Sequence, residues 1–373
     1  MRVGIMSMQR ICNYGSFLQS YCLKKMIESL GHEVEYVDYK PGKPILSDDY
    51  TNSMYFKSVV REFVMDIAVK IEPLCFFAPE SVRRSLRFKH NYNNKYLPML
   101  GIGKKITKNA VDTLVIGSDE VFNCFQKNPK VGFSRELFGE NHRAKRLISY
   151  AGSFGNTTIE EIEHAQLNQD LSGLFGKFDA ISVRDDNSAG VICALTGNVP
   201  EIHMDPVLMC DFSNDVPRVC DMKNYMVVYA YRGRLTDAEI ESIKAFAKMK
   251  GLKTVSVGGV QPFCDMYIEG SPLEIIDYIK NAEYVVTDTF HGTIFSVINH
   301  RKFVSFVRSG HGKAYGNQEK LVDLLVRLGL KNRSVSNTTE FSDIIDEPID
   351  YKAVDDVIVE QRKSAMEYLK NNL

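Results

Sequence analysis

The distribution of apolar and polar positions alternates between two periods. Arg2 to Met6 reads as a strand, and the segment after it carries apolar residues at 14, 17, 18, 21, 26, 27 and 30, the spacing of one helix face. Gly31 supplies a stop, and the alternation in HEVEYVDY then predicts a second strand. The first loop of this β-α-β unit, Ser7 to Asn13, lies where such folds bind ligands. GxGxxG is missing from it, so the dinucleotide fingerprint is absent.

From about Lys43 to Leu100 the apolar spacing becomes helical, β-branched runs thin out, and basic residues cluster at Arg83, Arg84, Arg87 and Lys89. This predicts a helical insertion, its charges on a solvated face. Strands return in DTLVIGSDEVFN (ending at Ile116), LISYAGSFG, FDAISVRDD (Asp179 to Val183) and EIHMDPVLM. Each apolar run stops in a small or charged residue, which suggests loops converging on one edge of a sheet. Cys210 to Lys223 is polar and aperiodic and reads as a linker.

A second α/β unit follows. YMVVYAY leads to Arg232-Gly233-Arg234, then to a helix from about Thr236 to Lys250 closed by Gly251, and then to KTVSVGG. Ser271 to Glu274 has the pattern of a capping box, and its helix feeds the strand Tyr284 to Val286. Beyond that strand come the polar turn Thr287-Asp288-Thr289, Phe290, His291 and Gly292, an apolar helix and another strand. An amphipathic helix spans residues 353 to 369. The expected fold class is therefore α/β, with two Rossmann-like domains in tandem. Residues 1–210 form the first, with an insertion at about 43–100; residues 224–350 form the second; and the helix in 351–373 can pack back on the first. This arrangement resembles B-type glycosyltransferases, which would put the site in the cleft between the domains.

Composition narrows the functional classes. With 46 basic and 47 acidic side chains the net charge is −1, so no global field draws in nucleic acid and any attraction for an anion must be local. The N-terminus is too interrupted by polar groups for a signal peptide, and no apolar run approaches a membrane span, so the expected location is cytoplasmic. Eight scattered cysteines with no CxxC pair are expected to be reduced, and no metal site is expected.

Chemistry concentrates at His291. A strand-turn-helix unit aims free N–H groups at its turn, and an imidazole there can gain or lose a proton near neutral pH. General acid or base work is one reading; a histidine hydrogen-bonded in a packed turn is the other.

Seven segments, taken together and in order, resemble the polysaccharide pyruvyl transferase family. They are NYGSFLQSYCLKKMIESLGHEVEYVDY, IGSDEVFN, ISYAGSFG, ISVRDDNS, MDPVLM, SPLEIIDYIKNAEYVVTDTFHGTIFSVINHRKFV and GNQEKLVDLLVRLGLKNR, spanning residue 3 to about 333 with their flanks. The resemblance implies a transferase that moves the enolpyruvyl unit of phosphoenolpyruvate onto a sugar to form a cyclic pyruvate ketal, in capsule, exopolysaccharide or cell-wall polymer synthesis. Phosphoenolpyruvate is then the donor substrate, with no cofactor. The acceptor is a sugar or oligosaccharide, and a lipid-linked one would bring the protein to the inner face of the membrane, although no strongly basic amphipathic helix argues for stable anchoring. Oligomeric state is not readable from the sequence.

On that resemblance His291 is the candidate general acid or donor-phosphate contact, Arg184 the first choice for binding an anion, and Asp119 (or Glu120) the base. Ser153, Gly155, Thr289 and Gly292 are donor-side candidates, and Asn13, Tyr14, Ser118 and Asn123 acceptor-side ones. For Arg184 a surface ion pair, for Ser153 and Gly155 a tight turn, and for Asn13 a helix cap are the structural alternatives. Two departures from the family pattern stand out. Thr289 occupies a place where some relatives have arginine, leaving Arg232, Arg308, Lys313 or Lys320 to supply the cation; and Glu120 and Phe122 stand where glutamine and tryptophan are more frequent. A nucleotide-sugar glycosyltransferase and a non-catalytic carbohydrate-binding relative are the competing functions.

Overall fold

A computed structural model describes residues 1–46, 50–70, 77–103, 110–308 and 318–373, except the side chains of 318 and 319. They form two compact units, Met1–Cys210 with Gln361–Leu373, and Asp211–Glu360.

The first unit is built on strands β1 (Arg2–Met6), β2 (Glu33–Tyr36), β3 (Thr113–Asp119), β4 (Arg146–Gly152), β5 (Ser182–Val183) and β6 (Glu201–Ile202). They make one parallel sheet in the order β2-β1-β3-β4-β5-β6. Central parallel strands are covered on both faces, so Leu114–Ile116 and Leu147–Ile148 are uninterrupted apolar runs, all buried. Beneath the sheet lies a cluster of Phe122, Phe138, Phe154 and Phe175, with ring centroids 5.0 to 5.8 Å apart.

Two strands depart from the expected lengths. β3 runs past Ile116 to Asp119 because Gly117, at φ 133°, lets the backbone pass where a Cβ would lie 2.1 Å from the Tyr150 carbonyl oxygen. The expected strand Asp179 to Val183 pairs regularly only at Ser182–Val183, with one isolated bridge from Ala180 to Ile148. Before it, the Asp179 carboxylate accepts the Leu147 N–H at 2.8 Å, a side-chain bond in place of a ladder bond.

The insertion contains helices Asn52–Lys70 and Glu80–Asn91, the second continuing into a π-helical turn at Tyr92–Tyr96. Lys89 corrects the expectation of a solvated basic face. Its side chain is 9% exposed, and its ammonium pairs with Glu62 at 2.7 Å and Asp66 at 3.0 Å on the neighbouring helix.

The second unit holds β7 (Tyr225–Tyr229), β8 (Lys253–Val257), β9 (Met266–Tyr267), β10 (Tyr284–Thr287), β11 (Lys302–Phe306) and β12 (Ser334–Val335). They form a parallel sheet ordered β12-β11-β10-β7-β8-β9. Its helices begin as their sequences direct. Thr236 and Glu239 form a capping box before Asp237–Lys250, Gly251 closes that helix at φ 65°, and Ser271 and Glu274 exchange side-chain-to-backbone bonds at 2.6 and 3.3 Å. The last helix, Tyr351–Asn372, starts in this unit and ends in the first.

Strand order locates the ligand edges. In a doubly wound sheet the crevice opens at the carboxyl ends of the two strands where the order reverses. In the first sheet that reversal falls between β1 and β3, and in the second between β7 and β10. Asp119 ends β3, and the turn bearing His291 follows β10.

Candidate functional site

The reversal in the second sheet is shaped by one tight turn. Thr289 is the N-cap of the helix Phe290–Ile298, its hydroxyl oxygen accepting the Gly292 N–H at 2.9 Å. Thr287, at the end of β10, donates its hydroxyl to the Tyr229 carbonyl at the end of β7 at 2.7 Å, which ties the two strands at the reversal. No side chain fits at position 292, since a Cβ there would meet Thr287 Oγ1 at 2.1 Å and Tyr229 Cδ1 at 2.8 Å. The turn therefore delivers His291 to the first turn of the helix, half-buried, with its ring edge-on to Phe290 at 5.5 Å and 6.1 Å from the Phe295 ring.

Charge surrounds this turn. The buried Asp288 accepts from Arg308 at 3.0 Å, and the same guanidinium reaches Glu239 at 2.7 Å. Burial raises the carboxyl of Asp288 above its ordinary range, an effect only partly offset by Arg234 and Arg308. Arg234 lies over the Tyr231 ring at 4.3 Å, and Arg232, two residues earlier on the loop after β7, is exposed. Two guanidinium groups, Arg308 and Arg234, thus act on Asp288 beside His291, and Arg232 lies on the loop after the neighbouring strand β7.

The reversal in the first sheet has the opposite character. Asp119, at φ 82°, turns its carboxylate to accept the Glu120 N–H at 3.0 Å and the Ser16 hydroxyl at 3.0 Å, joining β3 to the first helix. Its side chain is 15% exposed. Arg184 stands behind it, 3.7 Å from Asp119 and 3.1 Å from Asp205. Burial opposes the charge of Arg184, but Asp119, Asp205, Asp185 and Glu120 together outweigh it and raise the guanidinium further.

Several expected contacts have other occupations. Arg184 is 4% exposed and its charge is matched by carboxylates, so it steadies Asp119 instead of presenting a free cation. Ser153 is fully buried; it donates to Asp185 at 2.6 Å and accepts the Gly155 N–H at 3.0 Å, so both residues serve a tight turn. Asn13 caps the first helix at 2.6 Å, while Tyr14 is buried edge-on against Phe88. Ser118 is buried and donates to the Ala151 carbonyl; Asn123 binds Glu120, Thr157 and the Phe125 N–H, knitting its own loop. Thr289 and Gly292 use their polar groups on each other. Arg308 is committed to Asp288 and Glu239, and Lys313 lies outside the described residues. His291, Asp119 and Arg232 keep exposure at the carboxyl edge of their sheets.

A family model for polysaccharide pyruvyl transferase matches residues 13–310, four-fifths of the chain. The chain belongs to the polysaccharide pyruvyl transferase family. It is accordingly a transferase, and the match includes β3 with Asp119 and the turn that bears His291. No curated protein matches it. Among solved structures, it resembles the glycotransferase of kitacinnamycin at 10% identity, over 99% of this chain and 97% of that one, with a TM-score of 0.47. The spinosyn rhamnosyltransferase is 10% identical over the whole of both chains (TM-score 0.46). The UDP-GlcNAc 2-epimerase of Methanocaldococcus jannaschii is 11% identical over 96% and 99% (TM-score 0.45). At these identities the likeness concerns the fold alone.

For this member of the pyruvyl transferase family, sequence reasoning missed Asp288, Arg234 and Ser16 as parts of the two sites. Asp288 carries a readable signal, a carboxylate beside the N-cap of the His291 helix. Ser16 does not, because its partner Asp119 is 103 positions away. Among the described residues, no three His, Cys, Asp or Glu side chains are placed to hold a metal ion.

Proposed function

We propose that this transferase moves the pyruvyl unit of phosphoenolpyruvate onto two hydroxyls of a sugar, forming a pyruvate ketal during synthesis of a capsule, exopolysaccharide or cell-wall polymer. The observation that carries the reading is family membership together with a half-buried histidine at the strand-order reversal of the second sheet. Arg232 and Arg234 on the adjoining loop suit a donor bearing phosphate and carboxylate. The carboxylate-rich edge of the first unit suits a neutral acceptor whose hydroxyls must lose protons.

The atoms balance without a cofactor. A proton from His291 goes to the methylene carbon of the donor, and its central carbon becomes electrophilic. One sugar hydroxyl adds there, the C–O bond to phosphate breaks, and the second hydroxyl closes the ketal. Of the two hydroxyl protons, one restores the acid and the other leaves on inorganic phosphate. Asp119, held by Ser16 and the Glu120 N–H, is the proposed base: it takes one hydroxyl proton and passes it on to the departing phosphate. A lipid-linked oligosaccharide is the acceptor form that would require work at a membrane surface.

A thermal-shift screen decides the donor. Phosphoenolpyruvate should raise the melting temperature, since binding at a hundredfold excess over Kd is worth about 2.7 kcal/mol, and Arg232→Ala should weaken the shift. His291→Ala should abolish acceptor-dependent phosphate release while keeping the donor shift. A shift with uridine or guanosine diphosphate sugars and none with phosphoenolpyruvate would make the protein a glycosyltransferase; full turnover by His291→Ala would remove the histidine from the mechanism.

A further inference from the structure

The helix Asn52–Lys70 is turned the wrong way round for a soluble protein. Phe56, Val59, Val60, Phe63, Val64 and Ile67 are all exposed, Phe56 at 68% and Phe63 at 65%. At 100° per residue these six positions fall within an arc of about 140°, so they make one continuous stripe and not scattered apolar residues. The opposite side carries Tyr55, Ser58, Glu62, Met65 and the buried Val69, and two acids of the helix make ion pairs. Glu62 pairs with the buried Lys89 at 2.7 Å and with Lys130 at 2.9 Å, and Asp66 pairs with Lys89 at 3.0 Å. Those contacts fix the rotation of the helix and hold its apolar side outward.

The exposed cations line one edge of the stripe, and the exposed Asp66 on the other edge is paired with Lys89. Lys57 and Arg61 are exposed and follow its edge on the helical wheel, and Lys70 ends it. Both acidic residues of the helix, Glu62 and Asp66, are paired with lysines. An apolar stripe with a cationic margin and neutralised acids matches the boundary between headgroups and acyl chains of an anionic bilayer. A second copy docking by a two-fold axis would set the same cations near one another, which disfavours that occupant. No helix among the described residues is long and apolar enough to cross a membrane, so the contact is peripheral.

We infer that the outward face of the helix Asn52–Lys70 docks on an anionic lipid surface, with Phe56 and Phe63 entering the acyl boundary and Lys57 and Arg61 meeting the headgroups. The proposal stands apart from the identity of the donor.

Vesicle co-sedimentation tests it, using phosphatidylcholine alone and phosphatidylcholine mixed in equal parts with phosphatidylglycerol. The full-length protein should pellet with the mixed vesicles and stay soluble with phosphatidylcholine. The double variant Phe56→Ser/Phe63→Ser and the charge reversal Lys57→Glu/Arg61→Glu should each weaken binding by about tenfold or more. These side chains are exposed, so melting temperatures should match the parent; the charge pair serves as the test should the serine variant melt early. Equal pelleting with both vesicle types, unchanged binding by both variants, or a dimer in solution that Phe63→Ser dissociates would each overturn the proposal.

Discussion

At the residue scale, the site depends on polar atoms used for shape, leaving few for ligands. Thr289 illustrates this, its hydroxyl capping the helix that carries His291. Its hydroxyl is engaged, so a cation for the proposed donor would come from elsewhere on the edge, and Arg232 and Arg234 are near in sequence to β7, the neighbour of β10 at the reversal. Asp288 is the residue with the clearest pH signature. Its folded-state carboxyl is raised above the ordinary aspartate range by burial, despite Arg234 and Arg308. The folded protein then holds a proton that the unfolded chain has already lost, in the window above the unfolded value of 3.8. Asp288 therefore supports the fold at the acid side and costs stability as pH rises through that window. Asparagine mimics the protonated form and does not titrate. The melting temperature of Asp288→Asn relative to the parent should accordingly rise between pH 3.5 and pH 6, approximate settings that bracket the window. A relative fall would mean that the two arginines outweigh burial. The position of His291 could be read from the sequence because strand, turn and helix are contiguous; the setting of Asp288 could not, because Arg308 and Glu239 arrive from 20 and 49 positions away.

Elements begin and end where local chemistry directs, but the face each one buries is a tertiary matter. The capping box at Ser271, the helix start near Thr236 and glycine at 31 and 251 were legible because their partners lie within four residues. The helix Asn52–Lys70 shows where such reading stops. Its apolar spacing predicts a helix and implies a buried apolar side, whereas Lys89, 27 positions beyond Glu62, rotates that side to solvent. The same lysine gives a stability test. Lys89→Ala removes a 9%-exposed cation and leaves Glu62 and Asp66 without it, though Lys130 still reaches Glu62. Because the carboxylates are 31% and 48% exposed, water screens part of the loss. A cost of about 1–2 kcal/mol is expected in urea denaturation, below the figure for fully buried pairs. Lys89→Met should recover part of it by filling the space with an apolar chain. Full stability in Lys89→Ala would show that the helix is held by packing alone, and its outward face would then lack a fixed rotation.

At the scale of the whole molecule, each parallel sheet puts its chemistry on one edge, and the two edges differ in charge. That there are two doubly wound units was legible from apolar runs alternating with helical spacing. Strand order was not, because permuting buried parallel strands leaves every local pattern unchanged, and the short strands Met266–Tyr267 and Ser334–Val335 carry too few residues to show a period. The last helix joins the parts of the chain most distant in sequence. Near its start the Tyr351 hydroxyl donates to the Arg301 carbonyl in the second unit; farther on the Tyr368 hydroxyl donates to Ser149 in β4 at 2.8 Å, and Leu369 is fully buried. Tyr368 also packs on His203, ring to ring at 4.8 Å, beside Tyr150 of the same strand. The final turns are thus part of the first unit's core although they follow the whole of the second in the chain. Leu369→Ala should cost about 2–4 kcal/mol as a core truncation, and Tyr368→Phe about 1 kcal/mol for one buried hydrogen bond. The location of the loss is the informative readout. Amide hydrogen exchange should quicken in β1, β3 and β4 and stay unchanged in β7, β10 and β11 if the helix end belongs energetically to the first unit. Equal acceleration in both sheets would instead make the two units one cooperative block, with the helix as the element through which each stabilises the other.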